Sequence, residues 1–186
     1  MKILAYCASP NKNGNSSWTM EQYLKGFNNN DVIKKYYASD LNIKCCNGCL
    51  ACNESFNCVI DDDMQDIYQD LDDTDLLIIA MPVYMGEMNG HAKIFMDRLY
   101  AKITPHFSPR YHDGIKKKKL VLIFTQGNPD QNKFMDYFMY TKKMFNMLEF
   151  DVLDMIIITN TRSFKAYEQV GLEDDLVLKA SNIKFE

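Results

Sequence analysis

The 186-residue sequence has no apolar run approaching the length of a membrane span, so no segment is expected to cross a bilayer as a helix. It has no surplus of positive charge. Lysine and arginine total 21 against 25 aspartates and glutamates, a net charge of −4, where a nucleic-acid-binding face calls for basic excess. Histidine occurs only as His91, His106 and His112, with no ligand spacing between them. No Ser-His-Asp set and no pair of carboxylates declares itself, so no catalytic side chain is expected. The phosphate fingerprints G-x-G-x-x-G and G-x-x-x-x-G-K-[ST] are missing, as are repeats, low-complexity segments and linkers. The start, M-K-I-L-A-Y, lacks the apolar segment and cleavage site of an export signal. A single domain over residues 1–186 is expected, in the reducing cytoplasm, with neither membrane nor nucleic acid as partner. In that compartment the six cysteines read as thiols or ligands rather than disulfides.

What the chain does have is alternation. Lys2 to Cys7 reads as a first strand. Ser16 to Phe27 reads as a helix capped by Asn15 or Ser16, with Met20, Tyr23, Leu24 and Phe27 on one face and Trp18 off it. Gly26 and the run 28–31 are expected to end that helix. Val32 to Tyr37 reads as a second strand. A long loop from Ala38 to Asp63 leads to a helical stripe of Met64, Ile67, Tyr68 and Leu71, with Asp61 to Asp63 suited to its N-terminus. Leu76 to Met81 is continuously apolar, as in a strand buried on both faces, and Pro82 is expected to stop it. A helix from His91 to Lys102 follows, then a loop from Ile103 to Gly114. The rest reads as a strand from Leu120 to Thr125, a helix from Asp130 to Leu148, a strand from Val152 to Thr159, and a last helix within Glu168 to Ala180. Five strands alternating with five helices predict an α/β three-layer sandwich, a parallel sheet with helices on both faces.

Sheets of this kind bind ligands beyond the C-terminal ends of their strands, at the switch point. Three polar or glycine-containing turns follow strands one, three and four: Ser9–Ser17, Pro82–Gly90 and Thr125–Pro129. In the strand order 2-1-3-4-5 those strands are central neighbours, and their turns share one cleft. The first turn, A-S-P-N-K-N-G-N-S-S, offers hydroxyls, amides and a helix start, the parts of an anion site. An ordinary strand-to-helix turn offers them too. The second, M-P-V-Y-M-G-E-M, sets Tyr84 and Met85 beside a glycine, where an aromatic and backbone amides suit a flat ring. The third, T-Q-G, reads equally as a turn without function.

The cysteines are the most specific local signal. Cys46, Cys49, Cys52 and Cys58 read C-x2-C-x2-C-x5-C. The first spacings match compact [4Fe–4S] ligation, whereas zinc sites more often use two separated C-x2-C pairs. A loop of free thiols is the alternative, and Cys45 can exchange with Cys46. Cys7 is expected to be a small buried residue of the first strand. Asp97 and Arg98 are expected to make structural ion pairs, and Lys116 to Lys119 to form a solvated turn.

Taken in order, S-P-N-K-N-G-N-S-S, C-N-G-C-L-A-C-N-E-S-F-N-C-V-I-D-D-D-M, M-P-V-Y-M-G-E-M-N-G-H-A-K-I-F-M-D-R and F-T-Q-G resemble the NAD(P)H-dependent FMN reductase-like flavoproteins of flavodoxin-like fold. The nearer branch is the iron–sulfur flavoproteins, whose cysteine motif also lies between the second strand and second helix. The resemblance spans Met1 to about Phe164; from Lys165 onward no motif is assigned. It implies that Ser9, Asn11, Asn15, Ser16 and Ser17 hold the FMN phosphate. Pro82, Val83, Tyr84, Met85 and Gly86 would line the isoalloxazine ring, with Thr125, Gln126 and Gly127 on its other side. Cys46, Cys49, Cys52 and Cys58 would ligate a [4Fe–4S] cluster, if one is bound.

The implied activity is that of an FMN-dependent oxidoreductase, fed by NAD(P)H or ferredoxin and assembled as a homodimer or homotetramer. The flavin carries the chemistry. The alternatives are an electron carrier with FMN and a [4Fe–4S] cluster but no substrate turnover, and a zinc-stapled binding module. One departure matters. The family often has Arg where this chain has Asn11, which removes a charge-assisted phosphate contact of about 1–3 kcal/mol. Lys12 is expected to replace it in part, and FMN retention is expected to be weak.

Overall fold

Leu76 to Met81 carries no charged side chain past Asp75, and every one of its residues is buried. In the computed structural model, which describes residues 1–55, 57–102 and 117–184, this run is the centre of β3 (Leu76–Tyr84). On one side β3 pairs with β1 (Lys2–Cys7), and on the other with β5 (Lys118–Thr125). β2 (Val32–Tyr37) flanks β1, and β6 (Phe150–Ile158) flanks β5. These strands are all parallel, in the order β2-β1-β3-β5-β6. The two-residue β4 (Glu87–Met88) pairs antiparallel with the end of β3 and lies off that path. With β4 set aside, the order is the expected flavodoxin-like one.

Strand side chains alternate between faces, and both faces need helices. Leu4, Tyr6, Leu77, Ile79, Leu120, Leu122 and Phe124 pack against α3 (Met64–Asp72), α4 (Gly90–Arg98) and α5 (Met135–Met147). Tyr6 stacks on Phe95 of α4, ring centroids 3.9 Å apart at 12°. Ile3, Ala5, Ile78, Ala80, Val121 and Ile123 pack on the opposite face against α1 (Asn15–Leu24) and α6 (Leu172–Ser181). Each buried valine, leucine, isoleucine or phenylalanine among them contributes about 1.5–3 kcal/mol relative to exposure. Among the described residues, no helix is long and apolar enough to cross a membrane.

The departures from expectation have local causes. Pro82 does not stop β3. Pairing with β5 ends at the Pro82–Thr125 position, so the missing N–H falls at the edge of the ladder and the chain continues to Tyr84. It then reverses through Met85 and Gly86, both left-handed at φ 51° and 86°, the conformation a two-residue hairpin turn requires. α1 is capped by Gly14, not by Asn15 or Ser16, because both of those side chains are engaged elsewhere. Gly26 lies beyond the helix end, where a Cβ would stand 2.3 Å from the carbonyl oxygen of Val177; its absence lets α6 approach α1.

The helix expected from Asp130 begins at Met135. Asn128 Oδ1 accepts the Asp130 amide and Asp130 Oδ1 accepts the Asn132 amide, and these turns compete with helix. The third expected helix is α-helical to Arg98 and tightens to a 3-10 turn over Leu99–Lys102. Lys118 and Lys119 belong to β5 rather than to a solvated turn. Their ammonium groups reach the carbonyls of Asp72 and Thr74, and Asp151. The long loop after β2 contains a 3-10 turn, Ala38–Asp40, and one helical turn, α2 (Cys52–Ser55). The expected loop from Ile103 to Gly114, with His106 and His112, lies outside the described residues.

Candidate functional site

β1 ends at Cys7, and the chain closes a tight turn before α1. Ser9 Oγ donates to the Asn11 carbonyl and accepts from the Asn11 amide, both at 3.1 Å. Asn11 Oδ1 accepts the Asn13 amide at 3.0 Å, so this side chain serves the turn itself. Gly14 N–H returns to the Asn11 carbonyl at 3.0 Å, and a Cβ on Gly14 would stand 3.0 Å from that same oxygen. α1 therefore opens on a bare glycine cap with no acid in its first turn. Its leading amides and positive dipole end remain available to an anion.

The side chains around this turn are already committed in instructive ways. Asn15 Oδ1 accepts the Ala166 amide at 2.8 Å, which fastens the segment after β6 to the start of α1. Ser17 is buried, and its hydroxyl hydrogen-bonds the Cys7 thiol. Burial pushes that thiol up to about 11, against the opposing hydrogen bonds from the Ser9 backbone and Ser17. Lys12 pairs with Asp40 and lies 4.6 Å from the Tyr37 ring centroid. Its charge is thus drawn to the β2 edge, and the expected replacement of an arginine by Lys12 is not what the structure places there.

Two hydrogen bonds join the three turns. Asn89 Nδ2 donates to the Ala8 carbonyl at 2.7 Å, tying the turn after β3 to the turn after β1. Ser16 Oγ and Thr125 Oγ1 lie 2.6 Å apart, tying the turn after β1 to the turn after β5. Pro82 and Thr125 are register partners, which closes the set. Ser9, Ser16, Ser17, Thr125, Gln126 and Asn89 are all buried, whereas Tyr84 and Met85 at the hairpin tip are exposed. Val83 packs on the face covered by α3, α4 and α5. A Cβ at Gly86 would meet the Phe134 ring at 3.4 Å, and one at Gly127 would meet Arg162 Cβ at 3.3 Å.

Two buried acceptors at these turns have no partner among the described residues: Asn89 Oδ1 and Gln126 Oε1. The Gln126 amide nitrogen is used, donating to the Asn128 and Asp130 carbonyls at 3.1 and 2.7 Å. An orphaned buried acceptor costs about 1–3 kcal/mol, which a donor on a bound ligand would recover. The leading amides of α1 beside orphaned acceptors and an exposed aromatic fit a phosphate-bearing, flat heterocycle. The turn geometry therefore fits FMN. Asn89 and Arg162 escaped sequence reasoning. Asn89 stands at the N-cap of α4, where asparagine reads as an ordinary cap, and Arg162 carries no motif. Beside the hairpin, Gly86, Met88, Lys93, Met96, Tyr137 and Tyr140 contribute to the wall of a cavity of about 380 Å³.

The cysteines lie on the connection between β2 and α3. Cys45, Cys46 and Cys49 are exposed, and Cys52 and Cys58 pack partly against the core. The Cys52 thiol is pushed up by burial and, beyond that, by the proximity of Cys58, Cys46 and Cys49. Those are the four residues of the motif, and Cys45 is not among them. The soft donors suit an iron–sulfur cluster. Among the described residues, no three His, Cys, Asp or Glu side chains converge closely enough to hold a metal ion, so ligation requires these thiols to turn inward. The expected ion pairs of Asp97 and Arg98 are both present, with Lys93 and with Asp62.

Comparison with known proteins gives the family and the fold. Residues 1–159 match the family described as NADPH-dependent FMN reductase. An iron-sulfur flavoprotein of Archaeoglobus fulgidus is 33% identical over 100 residues, 53% of this chain and 46% of that protein. One from Methanosarcina thermophila is 35% identical over 103 residues, 53% of this chain and 52% of that protein. The chain spans about half the length of the curated relatives it matches. Among solved structures, Smu.1420 from Streptococcus mutans superposes with a TM-score of 0.76 at 18% identity, covering 98% of this chain and 100% of the other. An FMN-dependent NADH-azoreductase from Bacillus anthracis, in complex with FMN, gives 0.67 at 16% identity over 97% and 98%. At such identities the likeness is one of fold.

Proposed function

The chain belongs to the NADPH-dependent FMN reductase family, and on that premise we propose that it is an FMN-dependent oxidoreductase supplied with electrons by NAD(P)H or ferredoxin. The observation that carries this reading is the joining of three strand-end turns by the Asn89–Ala8 and Ser16–Thr125 hydrogen bonds. FMN, when bound, would supply the redox chemistry, hydride or single-electron transfer.

The chain's own residues bind and orient. Ser9, Asn11, Asn15, Ser16 and Ser17, with the first amides of α1, form the phosphate turn. Pro82, Val83, Tyr84, Met85 and Gly86 form one wall of the ring site, and Thr125, Gln126 and Gly127 the other. Gln126 Oε1 and Asn89 Oδ1 are acceptors in waiting for ring N–H or ribityl hydroxyl groups. No side chain is assigned a proton-transfer role.

Cys46, Cys49, Cys52 and Cys58 form the ligand set of a [4Fe–4S] cluster, supported by their compact C-x2-C-x2-C-x5-C spacing. Residues 1–186 act as one cytoplasmic FMN-binding domain with the cysteine loop at 45–58. Exposed Met139, Tyr140 and Met147 on α5, with Tyr84 and Met85, support self-association as a homodimer or homotetramer.

The test is anaerobic turnover by FMN-loaded protein with NADH, NADPH or reduced ferredoxin offered separately. Oxidation of a nicotinamide is expected. Reduction by ferredoxin alone would turn the reading into an electron carrier. A colourless protein with stoichiometric zinc would leave only a zinc-stapled binding module.

A further inference from the structure

Arg98, the last residue of α4, is 1% exposed, and its two terminal nitrogens donate three hydrogen bonds, while its buried Nε has no partner among the described residues. Nη1 donates to Asp62 Oδ2 at 2.6 Å and to the Lys44 carbonyl at 2.9 Å, while Nη2 donates to Asp62 Oδ1 at 3.1 Å. The Asp62 carboxylate accepts two further hydrogen bonds, from the Lys44 amide at 2.8 Å and the Met64 amide at 3.1 Å. Both charged side chains are withdrawn from water, at 0% and 1% exposure. Replacing such a pair by apolar residues is often neutral or stabilising, so stability alone does not account for it.

What the pair does is mechanical. Lys44 immediately precedes the cysteine-rich stretch, and Asp62 follows it. Through Arg98 and Asp62 these two stems, 18 positions apart, are held side by side. Gln65 Nε2 secures the second stem by donating to the Cys58 and Ile60 carbonyls at 2.9 and 2.7 Å. Tyr68 donates its hydroxyl to the Arg98 carbonyl at 2.6 Å, and its ring lies 5.9 Å from the guanidinium carbon. Cys58 packs against the core cluster to which Tyr68 belongs. Between the stems, the described hydrogen bonds of residues 45–57 span only two to four positions. The stretch that carries the thiols thus takes its placement from its stems and from the packing of Cys52 and Cys58 against the core.

We propose that Arg98 is a positioning residue for the cysteine site: with Asp62 it closes residues 44–62 into a loop of fixed span and so sets the separation of Cys46 and Cys58, the outermost of the four thiols. What those thiols bind rests on the reading given under the proposed function. The same helix carries both sites. α4 begins directly after Asn89, whose side chain joins two of the flavin turns, and ends at Arg98, which closes the cysteine loop. Its nine residues set the two about 13 Å apart along the axis.

The test uses the full chain, with Arg98→Lys and the apolar double variant Arg98→Met/Asp62→Leu, which removes both charges and leaves neither stranded. Each protein is loaded with FMN, reconstituted anaerobically with ferrous iron and sulfide, and assayed for iron, sulfide and FMN per chain. Amide hydrogen exchange and iodoacetamide labelling of the cysteines are followed on the metal-free forms.

In the double variant, exchange around Lys44 and residues 58–62 is expected to quicken by about tenfold or more while β3 and β5 stay protected. Retained iron is expected to fall by about threefold or more, with bound FMN changed by less than about twofold. Arg98→Lys is expected to fall between, because one ammonium cannot fork to Asp62 and the Lys44 carbonyl together. Unchanged iron and exchange would overturn the proposal, as would exchange that quickens equally throughout the sheet. If the unaltered protein takes up no iron, the cluster reading fails. The clamp is then still decided by exchange and labelling: loss of protection confined to the stems and a changed labelling rate at Cys46 and Cys58 uphold it, and anything else overturns it.

Discussion

Asn89 donates a 2.7 Å hydrogen bond to the carbonyl oxygen of Ala8, across 81 positions of sequence. The side chain occupies the N-cap position of α4 but makes no capping bond there. It is spent instead on holding two turns together. Asn89→Ala removes the donor and leaves a buried carbonyl unsatisfied, a cost of about 1–3 kcal/mol in stability. Because the bond fixes the relative position of two turns, FMN affinity is expected to fall by about tenfold, equivalent to about 1.4 kcal/mol. Thermal melting and FMN fluorescence quenching read the two effects separately. Unchanged affinity alongside lowered stability would remove Asn89 from the ligand site.

The two residues of the turn after β1 best placed to meet a phosphate charge are engaged elsewhere. Asn11 is turned into its own loop, and Lys12 is paired with Asp40. Dialysis is therefore expected to strip FMN from the protein. Asn11→Arg supplies a charge-assisted contact of about 1–3 kcal/mol and is expected to slow FMN loss by about tenfold. Tight retention by the unaltered protein through extensive dialysis would contradict this account of the turn.

Asp62 sets an acid limb. Burial alone would raise its pKa, but hydrogen bonds from Arg98 and from the Lys44 and Met64 amides hold the carboxyl below the usual carboxylate range. The folded value lies below the unfolded one, so the unfolded chain binds the extra proton as pH falls. The contribution of Asp62 is therefore full above the unfolded carboxylate pKa of about 3.9 and is lost as pH falls through the lower folded value. The urea midpoint is expected to drop over this window, with a shallower drop in Arg98→Met/Asp62→Leu. Superimposable acid limbs would show that other carboxylates control acid unfolding.

The parts of the molecule that could be read from sequence are those where chemistry and spacing act locally. Leu76 to Met81 reveals a central strand because burial on both faces leaves no room for a polar residue. The stripe of Met64, Ile67, Tyr68 and Leu71 reveals α3 because helical spacing gathers those four buried residues onto one face. The serine- and asparagine-rich turn after β1 reads as a candidate anion site because its parts are adjacent in the chain.

Long-range side-chain partners are hidden. Arg98 meets Asp62 across 36 positions and Asn15 meets Ala166 across 151, and no periodicity records either contact. The hairpin at Met85 and Gly86 was obscured by Pro82, whose missing donor matters only if the strand is still paired where it stands. Lys12 reads as a phosphate ligand until Asp40 and Tyr37 are placed beside it.

The central claim is that the three joined turns hold FMN in an oxidoreductase. The most direct measurement is the visible absorption spectrum of anaerobically purified full-length protein supplied with FMN, with iron, sulfide and zinc analysed on the same sample. The account predicts flavin bands at about one FMN per chain over a broad iron–sulfur absorbance, with about four irons per chain. Flavin bands without iron would retain the oxidoreductase and remove the cluster. A protein that shows no flavin bands after incubation with FMN would contradict the account.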